Sequence, residues 1–412
     1  MSASRPSRKL PPRTLTEEWA AVELSFEIAE EHRRYLADEA RLAAFRQALV
    51  QCVKPGDVVL DLGTGTGILG FIACEAGAKR VYSVDSKGML LELARSVCSV
   101  NGLQNQMFFI KGLSTEVDLP EKVDIVVADQ IGRFGFEARL LKYFSDARGR
   151  FLKQDGVLIP SSIDLWVAPV ESPQTWGQIE FWDNSPAGFN FGPVRSWATN
   201  IGYPVTYAPE QLLAPPSLGA SLDLSADTAS PFRFQVQTTV ERAGTLHGIG
   251  GWFSAKLCKD VAMTNSPLAA RRIDRDNVLF PIDRPVEVEQ GDQIDIGMHI
   301  LPNDSMVSWQ MHVWARPASQ ENGEPKISKG VFTNSTWNAK LVWKEDVQRA
   351  GPDFTPRLLP KAEVLLSVLK LFDAGKTLSE IEQEIYANHK QIFPRPGEAA
   401  AFVGDIVRQY SQ

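Results

Sequence analysis

From Glu17 to about Val50, apolar and charged positions recur at helical spacing, which predicts one or two amphipathic helices. Between Asp57 and about Pro160, short apolar runs alternate with longer amphipathic segments. DVVLDL, RVYSVD, MFFIKG, VDIVVAD and GVLIP read as strands; ILGFIACEAG, KGMLLELARSVCSVNG and FEARLLKYFSDARGRFLKQ read as helices. Such alternation predicts a parallel sheet with helices on both faces. From Ser161 to about Arg316, Pro and Gly punctuate DLWVAPV, PFRFQVQTTV, LHGIGGWFSAKL, PVEVEQGDQIDIGMHI and SWQMHVWAR, several with period-2 alternation. That is the pattern of antiparallel, half-exposed strands. Residues 188–208 interrupt it with no clear strand. The helical period returns after Leu359 in three short segments, the second opened by a capping box from Thr377 to Glu380 and the third by Pro396-Gly397.

These patterns divide the chain into a tail over 1–15, an α/β domain over 16–160, a β-rich domain over 161–316, a mixed connection over 317–358 and a helical, winged-helix-like module over 359–412. No internal repeat emerges. At 412 residues, two or three domains of ~150 residues are expected.

Composition removes several classes. With 44% hydrophobic and 23% charged residues, the chain has enough apolar surface to fold throughout its domains. A net charge of -7 argues against a nucleic-acid partner. No run approaches the ~18 apolar residues of a membrane span, and the basic, Pro/Ser-rich start has no apolar core of the secretory kind. Cys52, Cys74, Cys98 and Cys258 form no CxxC pair, which predicts a reducing cytoplasmic location and no metal site.

The most informative stretch runs from Val58 to Leu69, VVLDLGTGTGIL, where a strand passes through glycines into a helix. Glycines there let the backbone turn tightly and approach a ligand closely. Asp85 ends the next strand, placed to accept from ribose hydroxyls. Gly65, Gly67 and Gly70 also satisfy the dinucleotide GxGxxG, so NAD chemistry is a competing reading. Asp61 argues against it. A carboxylate two residues before Gly63 suits the cationic amino-acid end of S-adenosylmethionine (SAM) and would repel a pyrophosphate.

The chain resembles the protein arginine methyltransferases. VVLDLGTGTGILGFIACEAGAKRVYSVD is similar to that family's first SAM motif, and HRRYLADEARLAAFRQAL to its helix of the form HEEML-DE-R. The latter would set His32 and Arg41 on the SAM carboxylate. IKGLSTEVDLPEKVDIVVAD resembles the adenine-binding stretch, with Ser114 and Thr115 at its contact positions. FWDNSPAGFN, LHGIGGWFSAKL and MTNSP resemble landmarks of the family's β-barrel. The resemblance covers roughly residues 20–315. It implies a Rossmann-type SAM domain, a β-barrel and an arm near 188–208 that pairs two subunits head to tail, with the small helical C-terminal module lying beyond it.

The family's double-glutamate loop is altered in VVADQIGRFGFEARL. Glu137 matches the second glutamate, Asp129 replaces the first, and the loop is one residue shorter, with Arg133 inside it. Arg272-Ile273-Asp274 stand where the family has Thr-His-Trp, and Val22, Glu23 and Phe26 are nearest its Tyr-Phe-x-x-Tyr helix. The resemblance implies SAM-dependent methyl transfer, with Gly63, Gly65, Gly67, Asp61 and Asp85 holding the cofactor and Asp129 and Glu137 orienting and deprotonating a nitrogen acceptor on a protein or peptide. The altered loop leaves open a small-molecule or natural-product acceptor, or a SAM-binding scaffold without transfer. Ordinary roles also stand for individual residues: a surface ion pair for Arg41, an exposed helix position for His32, a helix N-terminal charge for Glu137, structural places for His247, His299 and His312, and core for Trp252, Trp309 and Trp314.

Overall fold

The computed structural model describes residues 28–226, 230–304, 306–316, 327–340 and 343–411. The expected tail over 1–15 and the positions Val22, Glu23 and Phe26 lie outside the described residues. Two compact units result, one over Ile28–Lys340 and one that contains Leu341–Gln412.

The larger unit begins with helix α1 over 28–37 and α2 over Glu39–Cys52, separated at Asp38. Asp38 is the N-cap of α2: its side chain accepts from the Arg41 N–H, satisfying a donor the first turn leaves free. The core-facing positions of α2 are Arg41, Phe45, Ala48 and Leu49, one stripe at helical spacing.

Five strands follow, β1 (Val58–Leu62), β2 (Arg80–Asp85), β3 (Met107–Lys111), β4 (Val123–Ala128) and β5 (Leu152–Ile159), with α3 (Ile68–Glu75), α4 (Gly88–Val100) and α5 (Leu140–Arg150) between them. Every described pairing is parallel and the order is β3-β2-β1-β4-β5. All five residues of β1 are buried, as expected of a central parallel strand covered on both faces. Chain order reverses between β1 and β4, so a crevice opens beyond their carboxyl ends, where open α/β sheets bind ligands. The helix expected over 136–154 is shorter: α5 starts at Leu140, and Leu152–Gln154 belong to β5. Glu137 is therefore a loop residue, and the helix-charge reading of it falls.

The rest of the unit is antiparallel. β6 (Ser162–Val170), β7 (Tyr203–Val205), β8 (Ser217–Asp223), β10 (Gly244–Cys258), β11 (Val261–Thr264) and β12 (Asn277–Val288) form one sheet in the order β7-β12-β10-β6-β8, with β11 on β10. β9 (Phe232–Thr239), β13 (Gln293–Leu301), β14 (Met306–Trp314) and β15 (Ser328–Ser335) form the second, in the order β15-β14-β13-β9. The sheets meet where β8 contacts β9 and where β12 contacts β15, closing a barrel-like shell in which the buried Trp309 packs on Phe280 with ring centres 5.2 Å apart; Trp252 is also buried. β15 lies in the stretch read as a mixed connection; antiparallel pairing with the preceding strand, β14, supplies what local pattern did not. Over 188–208 the chain forms α7 (Gly192–Ala198) and the short β7, after α6 (Pro173–Glu180). His247 accepts the Ser172 N–H through Nδ1 at 3.1 Å, and His312 pairs with Ser328 at 2.9 Å, both structural places; His299 lies exposed on β13.

The second unit carries α8 (Lys344–Arg349), α9 (Pro360–Asp373), α10 (Leu378–Asn388) and α11 (Pro396–Tyr410), the last three around their own core of Val364, Val368, Ile381, Ile385, Phe393 and Val403. The Thr377 capping box forms: the Glu380 carboxylate accepts the Thr377 N–H at 2.8 Å. No strand occurs among its described residues.

Candidate functional site

At the carboxyl end of β1, Gly63, Gly65 and Gly67 all take left-handed φ values of 67°, 54° and 90°. Residues with a Cβ disfavour that region. The turn is pinned to β2: Gly63 and Thr64 donate to the Val84 carbonyl, and Gly65 donates to Asp85 Oδ2 at 3.0 Å. Asp85 Oδ1 accepts the Lys87 N–H at 2.8 Å, leaving each carboxylate oxygen a further lone pair. His32 closes over the turn, since a Cβ on Gly65 would meet its Cε1 at 2.6 Å. Burial holds the His32 ring below its ordinary pKa, which favours its neutral form.

Asp61 lies in β1 beneath this turn. Thr64 Oγ1 donates to its Oδ2 at 2.5 Å and Gly70 N–H donates to the same oxygen at 3.1 Å. Among the described residues, Oδ1 has no hydrogen-bond partner. Burial pushes the carboxyl up to about 6. An orphaned, buried carboxylate oxygen under a glycine turn fits a cationic group approaching from the crevice, and the SAM ammonium is such a group. The residues fit the cofactor.

Ser114 and Thr115 stand in a turn at the carboxyl end of β3, entered through Gly112, whose N–H donates to the Asp85 carbonyl at 3.0 Å. Ser114 is buried and its carbonyl accepts from Arg150.

At the carboxyl end of β4, Asp129 is buried and held by two guanidinium groups. Arg41 Nε donates to Oδ2, while Arg275 donates from Nη1 to Oδ1 at 3.2 Å and from Nη2 to Oδ2 at 3.0 Å. Burial alone would raise the carboxyl; the charges of Arg275 and Arg41 and their hydrogen bonds hold it below its ordinary value. Arg41 thus joins Asp129 in a buried ion pair, not a surface one, and also donates to the Tyr35 carbonyl at 3.2 Å. The Tyr35 ring lies within 6 Å of both guanidinium carbons.

Glu137 turns back into its own loop. Both its oxygens accept the Phe134 N–H, at 2.8 and 3.0 Å, and Oε2 also accepts from Phe136 at 3.2 Å. Burial raises its carboxyl above the ordinary value against these bonds. Arg133 lies 3.9 Å from Asp276 and forms no ion pair with either candidate carboxylate among the described residues, although its charge lowers the Glu137 pKa. Asn265 fastens the loop to the barrel by donating to the Arg133 carbonyl at 2.9 Å. Environment therefore drives Asp129 and Glu137 apart, one firmly ionised and one a stronger proton acceptor, the separation that acid–base sites use.

The structure thus gathers Asp61, Gly63, Gly65, Gly67, Asp85 and His32 around one turn and Arg41 with Asp129 beside it. Sequence reasoning missed Arg275, Tyr35 and Asp38. Asp38 Oδ2 accepts the Asp274 N–H at 2.8 Å and ties the barrel loop to α2. In sequence Arg275 is one letter of the charge run RRIDRD, which carries no sign of burial.

Two family models match adjoining segments, ribosomal protein L11 methyltransferase (PrmA) over residues 45–164 and the arginine methyltransferase oligomerization subdomain over 162–313. The chain is 29% identical over 287 residues to protein arginine N-methyltransferase 6 of Xenopus laevis, covering 66% of this chain and 84% of that protein. Among solved structures, protein arginine methyltransferase 10 of Arabidopsis thaliana superposes with TM-score 0.63 at 25% identity, covering 74% of this chain and 97% of that one. The fold is also that of the Trypanosoma brucei PRMT1 enzyme-prozyme heterotetrameric complex with AdoHcy, at TM-score 0.63, 23% identity and the same coverage.

Proposed function

We propose that the chain, which is similar to protein arginine methyltransferases over most of its length, is a SAM-dependent methyltransferase of that kind acting on guanidinium nitrogens of protein arginine. The observation that carries this is the crevice between β1 and β4, with a ligand-fitting glycine turn over an orphaned Asp61 oxygen on one side and the Asp129–Glu137 loop on the other.

When bound, the cofactor supplies an already activated methyl group, so the chain's contribution is positioning and proton management. Asp61 would receive the cofactor's ammonium, and Asp85 its ribose hydroxyls. Ser114 and Thr115 would flank the adenine. His32 and the free edge of Arg41 would face its carboxylate, so that Arg41 links cofactor and acceptor carboxylates. A guanidinium keeps its proton in water and is a poor nucleophile. Asp129 would orient its planar fork, and Glu137, made more basic by burial, would take the proton released as the nitrogen is methylated.

For assembly we favour a head-to-tail homodimer through 188–208, supported by exposed Phe189 and Phe191 beside α7. A cytoplasmic place suits four unpaired thiols.

The test is transfer of isotope-labelled methyl from SAM into a cell extract, with hydrolysis and separation of methylarginine and with Asp129→Asn and Glu137→Gln as controls. Methylarginine that disappears in both variants is the expected result. Label in another residue or in the small-molecule fraction overturns the acceptor assignment.

A further inference from the structure

We propose that Arg275 occupies the position meant for the acceptor arginine, so that this chain carries an internal competitor for its own substrate. The inference rests on the arginine reading above and names how that site is regulated.

Arg275 lies in the loop between β11 and β12, where the family motif is lost. Its two terminal nitrogens approach the two Asp129 oxygens at 3.2 and 3.0 Å. This two-point fork is the arrangement by which a carboxylate recognises a substrate guanidinium. Both side chains are nearly closed to solvent, 12% and 8% exposed. Phe253 and Tyr35 lie about the guanidinium, with ring centres 6.0 and 5.9 Å from its carbon. Counting acceptors decides the matter. A carboxylate offers about four lone-pair sites. Arg41 and Arg275 fill two on Oδ2 and one on Oδ1. A second guanidinium cannot grip both oxygens until Arg275 leaves.

The surroundings provide for that departure. Arg275 also lines a cleft of about 420 Å³ with Asp38, Glu39, Asp274, Arg272 and Thr206. Carboxylates there can receive the displaced side chain. The backbone need not move: Asp274 N–H stays on Asp38, Ile273 N–H on the Thr264 carbonyl, and Ile273 is buried. Only the Arg275 side chain swings. Acceptor binding then measures the fraction of molecules in which it has swung, and apparent affinity is reduced by that fraction.

The experiment compares the full chain with Arg275→Ala and Arg275→Lys, each saturated with S-adenosylhomocysteine and titrated with ethylguanidinium in a calorimeter. The Ala variant is expected to bind ethylguanidinium and gain thermal stability from it, whereas the unaltered chain does neither. Adding Asp129→Asn to Arg275→Ala is expected to abolish that binding. With an arginine peptide, KM should fall roughly tenfold or more in Arg275→Ala while kcat changes far less. Lys keeps the charge without the fork, which protects folding, and should give an intermediate KM. A folded Ala or Lys variant that binds ethylguanidinium no better than the unaltered chain overturns the proposal, as does a KM that rises with loss of Arg275. Failure of the arginine reading looks different. The Ala variant then binds ethylguanidinium while no form of the chain makes methylarginine.

Discussion

Asp61 and Asp129 are carboxylates on adjacent strands of one parallel sheet, Asp61 in register with Val127, yet their surroundings drive them in opposite directions. Asp61 receives a hydroxyl and one amide, keeps an oxygen without a partner among the described residues, and is pushed up to about 6 by burial. Asp129 is almost as enclosed, its side chain 8% exposed, but Arg41 and Arg275 overcome burial and hold it low. The Asp61 side of the crevice is electrostatically incomplete and fits an incoming cation. The Asp129 side is complete within the chain. A binding site can therefore be built unfinished, so that ligand supplies the missing charge, or finished, so that ligand must displace something.

The largest expected effect comes from opening the finished side. Asp129→Ala strands two buried guanidinium groups, and removing one partner from such a pair costs about 3–5 kcal/mol of stability. Urea unfolding measures it. A loss below ~1 kcal/mol would mean that the arginines find water or other carboxylates, and the contrast with Asp61 would collapse.

Asp61→Asn should act with the opposite sign. The folded-state pKa of Asp61 is raised from 3.8 to about 6, so its favourable contribution is present below the lower value and lost as pH rises through the upper one. That shift corresponds to about 3 kcal/mol of penalty on the ionised form above pH ~6. Asparagine never ionises. The variant should be more stable than the unaltered chain at pH ~7.5, indistinguishable near pH ~4, and weaker in binding S-adenosylhomocysteine. Asp129 runs the other way: its contribution is present above the ordinary carboxylate range and lost as pH falls through its lowered value. Equal stability of Asp61→Asn and parent at both pH values would remove the claim that this oxygen waits for a cation.

The same two regions differ in how far the sequence discloses them. Gly65 bonds Asp85 across 20 residues, within a motif whose glycines and terminal acid announce the turn. Asp129 is bonded across 88 residues by Arg41 and across 146 by Arg275, and no local pattern specifies either partner. Arg41 left one trace: it shares a helix stripe with Phe45, Ala48 and Leu49, and an arginine on an apolar stripe needs a buried carboxylate. Arg275 left none. For Glu137 the loop's likeness to the family gave the residue, but the helical reading of its surroundings failed because the chain turns through Gly132, Gly135 and Arg139 at positive φ before α5 begins. β15 was likewise hidden, since SKGVFTNS acquires meaning only beside β14.

Glu137→Gln should disturb stability least and chemistry most. The glutamine oxygen can still accept from the Phe134 N–H or the Phe136 N–H, so the cost is that of one imperfect hydrogen bond, about 1 kcal/mol. It cannot take a proton, and removal of a general base typically costs ~10²–10⁴-fold in rate. Because burial raises the Glu137 carboxyl, kcat/KM of the parent should climb with pH through a limb lying above the ordinary carboxylate range, as the base loses its own proton. Asp129, held ionised by its arginines, contributes no limb there. Methyl transfer that persists in the Gln variant, or that shows no such limb, would assign proton removal to solvent. The Asp129–Glu137 side would then be a clamp alone, with its electrostatic completeness serving orientation and not proton transfer.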